Sequence, residues 1–239
     1  MKSSKISAKA ARRLFLHAQA LLDDPARCRG ASDARALVER LGFVQLDSIN
    51  VVARAQDLTL ASRLDGYRIE HLARLLQDER SLFEHWTHDA SAVPLSFYAH
   101  WKPRFRRDAE SLRTQAWWNH HLGEDGERTL AHVKDRIRAE GPLMSADFEH
   151  PLKRGGWWGW KPQKAALDYL WRAGELAVRG RVNFHKIYDL AERVLPDHFA
   201  LAEPSEQAHL DPSFWVRPPI WALVPSHDGA LGVAEAGNA

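Results

Sequence analysis

Gln45 and Asp47 stand two residues apart in the run "LGFVQLDSINVVARAQDL" (41–58), where a strand-like pattern gives way to a helical one. In an extended backbone residues i and i+2 face one side, so the amide and the carboxylate share a face while Leu46 points to the core. Two readings fit this spacing. In one, Asp47 or Ser48 caps the helix that follows, worth about 1 kcal/mol, and Gln45 is solvated. In the other, the pair is a small hydrolytic unit acting at an anomeric carbon. Glycosidases with neutral leaving groups need two carboxylates. A nucleobase alkylated on a ring nitrogen is already cationic and leaves without a general acid, so one carboxylate to steady the sugar cation and one amide to orient water are enough.

Other candidate groups carry less. "EHWTHD" sets His85 and His88 beside Glu84 and Asp89. It lacks the i, i+4 histidine spacing of a helical zinc site and has no third ligand at motif distance. No metal is expected there. Arg54 and Arg63, on and just after the helix following the motif, read as surface charges or as phosphate contacts. Trp157, Trp158 and Trp160 read as packing groups or as base-stacking platforms. His120 and His121 are expected in an exposed loop.

The chain has 239 residues, 45% hydrophobic and 27% charged, the profile of a soluble protein with one or two cores. No apolar run approaches the ~18 residues of a membrane span. The opening 22 residues hold five Lys or Arg and no acid, at the apolar spacing of an amphipathic first helix rather than of a leader. A single cysteine, Cys28, excludes an internal disulfide and suits a reducing cytoplasm. Net charge is only +2, but residues 151–186 hold eight basic residues against two acids, a local +6, while 203–239 hold one against five, a local −4. The basic segment suits either a solvated face or a polyanion surface.

Helical spacing covers 6–22, 33–42 with Gly42 as terminator, 48–60, and 67 onward toward Trp86 with no turn signal before about residue 78. Residues 85–123 resist assignment, and "GEDGE" (123–127) is the best boundary. A helix over 128–141 follows, then a short one capped by Ser145, a connector "HPLKRGGWWGW", and a helix over 161–174 with Pro162 at its start and Gly174 at its end. Residues 175–190 alternate about Arg179-Gly180-Arg181, a hairpin with a basic tip. This is the order of a winged helix-turn-helix, with 162–173 as recognition helix and the hairpin as wing. Lys161, Lys164, Arg154, Arg179 and Arg181 are then the expected phosphate contacts, beside Arg54 and Arg63. Residues 6–64 read as a cruder copy of the same plan.

"LGFVQLDSINVVARAQDLTLASRL", "LFEHWTHDASAVP" and "WWGWKPQKAALDYLWRAGELAVRGRVNFHKIYDLAERVLP" together resemble the bacterial winged-helix DNA glycosylases that unhook interstrand crosslinks. The resemblance extends over roughly residues 6–210, and Gln45-Leu46-Asp47 matches that family's Gln-apolar-(Asp or Gln) signature. It implies a mainly α fold with small β wings in tandem winged helix-turn-helix units: 1–122 a first unit with a helical extension, 123–203 a second with a basic wing, 204–239 an atypical tail. It also implies a monofunctional hydrolase removing N7-alkylated purines, crosslinked guanines included, without a metal or organic cofactor, with Asp47 stabilising the sugar cation and Gln45 positioning water. The expected partner is double-stranded DNA carrying such bases, bound by a monomer away from any membrane, in the bacterial cytoplasm at the nucleoid. The family is ordinarily longer, and the Pro-, Gly- and Ala-rich tail shows no helical or strand periodicity, as expected of a truncated third unit. The alternatives are a non-catalytic winged-helix regulator and an incomplete glycosylase that binds but turns over poorly.

Overall fold

The computed structural model describes residues 6–22, 24–122, 125–148 and 161–205, with the backbone of two short strands at 223–225 and 231–233. Helix α1 (Ala8–Ala18) is capped by Ser7, whose Oγ accepts from Ala10 N. After β1 (Ala26–Arg27) comes α2 (Ala31–Leu41), which presents Ala34, Leu37 and Val38 to the core. It stops at Gly42, where φ is +85° and glycine alone is comfortable. The chain continues through β2 (Val44–Gln45), α3 (Ala55–Ala61), β3 (Leu64–Asp65), α4 (Ile69–Gln77), and the hairpin β4 (Leu82–Trp86) and β5 (Ala90–Pro94). Strand β2 pairs antiparallel with β5, giving the sheet order β2-β5-β4. Leu60, Leu72, Leu75, Leu82 and Ala92 close one core under α2.

Three sequence expectations change here. The helix expected from Ser48 begins only at Ala55, so neither Asp47 nor Ser48 caps it, and Arg54 holds the N-cap position. The helical pattern from residue 67 ends at Gln77; Leu82–Trp86 is a strand buried at its first four positions, which hides the alternation of a half-exposed strand. The unassigned stretch is the second hairpin strand followed by two helices, α5 (Tyr98–Thr114) and α6 (Ala116–Leu122). Helix α5 carries Pro103 in its N-terminal half, and His120 and His121 lie on α6 rather than in a loop.

From residue 126 the same order returns. Helix α7 (Gly126–Glu140) is capped by Asp125 and ends at Gly141. Strand β6 (Leu143–Met144), a 3-10 turn (Ser145–Asp147) and α8 (Pro162–Arg172) follow, then the hairpin β7 (Leu176–Val182) and β8 (His185–Leu190). The sheet order is β6-β8-β7, again with the first short strand pairing to the last. This order of helix, short strand and hairpin thus occurs over 31–94 and again over 126–190. At the short turn Met144, not Ser145, holds the N-cap position, and its N–H donates to Asp147 Oδ2 at 2.7 Å. The connector 149–160, with Arg154 and the three tryptophans, lies outside the described residues.

The hairpin turns at Asn183 and Phe184, not at Gly180, and both have positive φ, +48° and +68°. A two-residue turn of that kind matches strand twist, but it normally takes Asn-Gly; a phenylalanine there is strained. Two guanidiniums flank the ring, Arg54 at 4.6 Å and Arg181 at 4.2 Å from its centroid. Gly180 sits instead at a register shift after Val178. Short helices α9 (Ala191–Val194) and α10 (Pro196–Phe199) return to α5. In the tail, β9 (Leu223–Pro225) pairs antiparallel with β10 (Leu231–Val233), so it does contain strand.

The two hairpins are joined by buried polar groups. Glu84 on β4 receives two hydrogen bonds from Arg181 on β7, Nη2 to Oε1 at 2.6 Å and Nε to Oε2 at 2.9 Å, and Lys186 Nζ lies 3.7 Å from Oε1. Trp171 Nε1 donates to the Glu84 carbonyl at 3.0 Å. Burial pushes the Lys186 ammonium below its ordinary range, against the opposing pull of Glu84 and Asp168. His85 is 2% exposed and is fixed from both sides. Trp101 Nε1 donates to its Nδ1 at 3.0 Å, so the proton sits on Nε2, which donates to the Trp171 carbonyl at 3.0 Å. At the end of α8, Gly174 has φ +74°, and a Cβ there would fall 2.3 Å from the Phe105 ring of α5.

Burial lowers the His85 pKa to about 3. The unfolded chain takes a proton near pH ~6.5 that the folded chain refuses until far lower, so stability from this residue is complete above ~6.5 and lost as pH falls from there toward 3. We expect the urea midpoint to drop on acidification from pH 7 to 5. Over the same range long-range 15N NMR should report His85 as neutral, protonated on Nε2. A His85 resonance titrating near the ordinary value would contradict the buried geometry.

Candidate active site

Strand β2 delivers the pair. Val44 and Leu46 are 3% and 6% exposed and face the core, while Gln45 and Asp47 between and beyond them are half-buried on the opposite side. The two-residue period expected of an extended strand is therefore realised. Leu46 N donates to the Ala90 carbonyl at 2.7 Å, which extends the β2–β5 pairing to the threshold of Asp47.

Two main-chain amides set the carboxylate. Asp47 N donates to Oε1 of the buried Gln56 at 2.9 Å, and Ile49 N donates to Asp47 Oδ1 at 2.9 Å. Among the described residues Oδ2 has no hydrogen-bond partner, so one oxygen fixes the orientation and the other stays available. Gln45 is held on its own side. His88 Nε2 donates to Gln45 Oε1 at 3.1 Å, and Gln45 Nε2 lies 3.5 Å from Asp89 Oδ2. Phe43 meets the His88 ring edge-on at 5.7 Å, and Ala90 N donates to Asp89 Oδ1 at 2.7 Å. His88 and Asp89 thus position the amide across the β4–β5 turn. In the sequence both residues stand out only as part of a metal alternative. Among the described residues no three His, Cys, Asp or Glu side chains group as metal ligands would.

Asp47 opens onto a cleft of about 540 Å³ between the two copies of the plan. Ser48 and Asp89 line it from the first copy; Lys164, Asn183 and His185 line it from the second. A carboxylate with one free oxygen, an oriented amide and a lysine across a solvent-reaching cleft can steady a cation, hold a water and receive a phosphate.

The expected basic contacts separate into two groups. Arg54 lies over Phe184, Arg63 donates to the carbonyls of Gln19 and Thr59 at 2.7 and 2.8 Å, and Arg181 grips Glu84. All three have intramolecular roles. Lys164 is exposed on the first turns of α8, Lys161 is half-buried at its N-cap, and Arg179 is exposed, 3.6 Å from Asp189 Oδ2. No helix among the described residues is long and apolar enough to cross a membrane.

The family model described as "DNA glycosylase AlkZ-like" matches residues 38–238. The match takes in Gln45, Asp47, both hairpins and α8, and it runs on through the tail beyond residue 210. No solved structure matches the chain.

Gln56 is the residue to test for placement. Gln56→Leu keeps the buried volume but leaves the Asp47 amide without its acceptor, at an expected cost of about 1–3 kcal/mol in urea unfolding. An unchanged midpoint would mean that the Gln56–Asp47 bond is not formed in solution.

Proposed function

Since the chain belongs to the AlkZ-like DNA glycosylase family, we propose that it is a monofunctional enzyme hydrolysing the N-glycosidic bond of N7-alkylated purines in duplex DNA, crosslinked guanines included. The observation that carries this reading is the state of Asp47: not a helix cap, pinned through Oδ1 by one main-chain amide, with no hydrogen bond to Oδ2 among the described residues, and lining the cleft. Alkylation at N7 gives the purine a positive charge, so it departs as a neutral base with both electrons of the C1′–N9 bond. Positive charge then develops on C1′ and the ring oxygen of the sugar. Asp47 sits as a fixed negative group to oppose it, which costs no reorganisation at the moment of bond breaking. A water held by the Gln45 amide adds to C1′ and loses its proton to bulk water or to Asp47. His88 and Asp89 keep the amide from rotating away.

The fold supports a DNA-sized partner. Helix, short strand, helix, helix and hairpin, repeated with the same strand order, is the arrangement of a winged helix-turn-helix, and we read the chain as a tandem pair. In this reading α8 is the recognition helix of the second unit, and Lys161, Lys164 and Arg179 meet phosphates. Arg154, outside the described residues, is proposed as a further phosphate contact. Arg54, Arg63 and Arg181 shape the scaffold that carries them. The protein acts as a monomer in the bacterial cytoplasm.

Under single-turnover conditions with a 7-methylguanine duplex, Asp47→Asn is expected to lose ~10²–10³ in base release while still binding DNA. Should Asp47→Asn and Gln45→Ala both release base at the wild-type rate, the assignment is wrong. Absence of abasic sites with the wild-type protein would leave a DNA-binding module only.

Affinity is expected to fall linearly in log–log against salt. Replacing Lys161, Lys164 and Arg179 together by alanine should flatten that slope by roughly 0.9 for each phosphate that is no longer neutralised. A slope identical to wild type would remove these residues from the interface.

A further inference from the structure

The segment that replaces the expected helix, residues 48–54, leaves three β-branched apolar side chains in water. Ile49 is 67% exposed, Val51 89% and Val52 88%. Elsewhere the described core takes in valines such as Val38, Val93 and Val133 without residual exposure. The loop is not loose at its ends. It starts where Ile49 N bonds Asp47 Oδ1 and Asp47 N bonds Gln56. It finishes at Arg54, which is packed over Phe184 and caps α3 through its carbonyl. Residues 48–53 contain no charge, so the loop has no cation to offer phosphates. A contiguous exposed apolar patch on a fastened loop marks a contact surface.

What covers it follows from position. Oδ1 of Asp47 lies 2.9 Å from the Ile49 amide, so a deoxyribose close enough to feel that carboxylate is within one residue of the loop. Apolar side chains such as Ile and Leu can enter the base stack of duplex DNA, partly separating a step and kinking the helix. Resting on the glycosylase reading, we propose that Ile49, Val51 and Val52 form an apolar wedge that enters the stack beside the alkylated nucleotide and turns its C1′ toward Asp47. The wedge and the carboxylate are parts of one hydrogen-bonded turn, so insertion and alignment occur together. Damaged positions stack less well, and the wedge enters there more easily than at intact steps.

The test uses the full chain and a duplex holding 2-aminopurine next to a 2′-fluoro-7-methyldeoxyguanosine, whose glycosidic bond resists hydrolysis. Fluorescence is read at saturating protein, so changes in affinity do not enter. Wild type is expected to raise the 2-aminopurine signal about threefold or more, Val51→Ser with Val52→Ser to lose most of that rise, and Val51→Ile with Val52→Ile to keep it. Both positions are exposed, and thermal unfolding of each variant checks that the fold is kept. No rise with wild type, or an equal rise with the serine variant, overturns the wedge. So does a wild-type dimer in sedimentation that the serine variant lacks, since a second copy would then cover the loop. Base release by wild type from ordinary 7-methylguanine is scored separately: its absence removes the glycosylase reading, while the fluorescence still decides whether the loop enters the stack.

Discussion

The structure depends on a buried carboxylate. Glu84 lies on β4, 5% exposed, and a charge in that position costs several kcal/mol to desolvate unless its oxygens are fully met. Arg181 meets both in a fork and Lys186 adds a second cation. Both cations come from the other hairpin, so the charge is balanced only when the two copies of the plan are docked. Breaking such a group from one side typically costs ~3–5 kcal/mol, which makes the docked arrangement the only one in which Glu84 is tolerated. Strand β4 pairs with β5, and β5 pairs with β2, so this contact also fixes where Gln45 and Asp47 stand relative to α8.

Around Glu84 the aromatic groups finish the join. Trp171 and His85 exchange hydrogen bonds with the opposite main chain, and Trp101 of α5 completes the histidine. None of these groups touches the cleft. Their work is to hold two sheets at a fixed separation, so that a cleft of substrate size persists between Asp47 and Lys164. The site is thus built at a seam rather than inside either copy, a common place for ligand sites.

What the sequence made legible was local. Gly42, Gly141, Pro162 and Gly174 mark helix ends because those ends need particular φ values or a missing N–H, and all four fall where expected. The Gln45–Asp47 period was legible for the same reason. What escaped depended on distant contacts. Leu82–Trp86 reads as a continuation of helix because it is buried on both faces and does not alternate. "INVVA" has helical spacing, yet Gln56 and the Asp47 turn hold the backbone out until Ala55. Phe184 gives no sign of being a turn residue because its contacts there are with Arg54, distant in the chain, and with Arg181 on β7. Charge composition could not separate Arg179 from Arg181: a register shift at Arg179, between Val178 and Gly180, and a buried acid on another strand decide that one faces solvent and the other the seam.

The bond from the Ile49 amide to Asp47 has a consequence for how this surface can change over generations. The donor is peptide backbone, so the carboxylate keeps its aim whatever side chain occupies position 49, with proline the sole exclusion because it has no N–H. Side chains on the loop can therefore change while the carboxylate stays where it is.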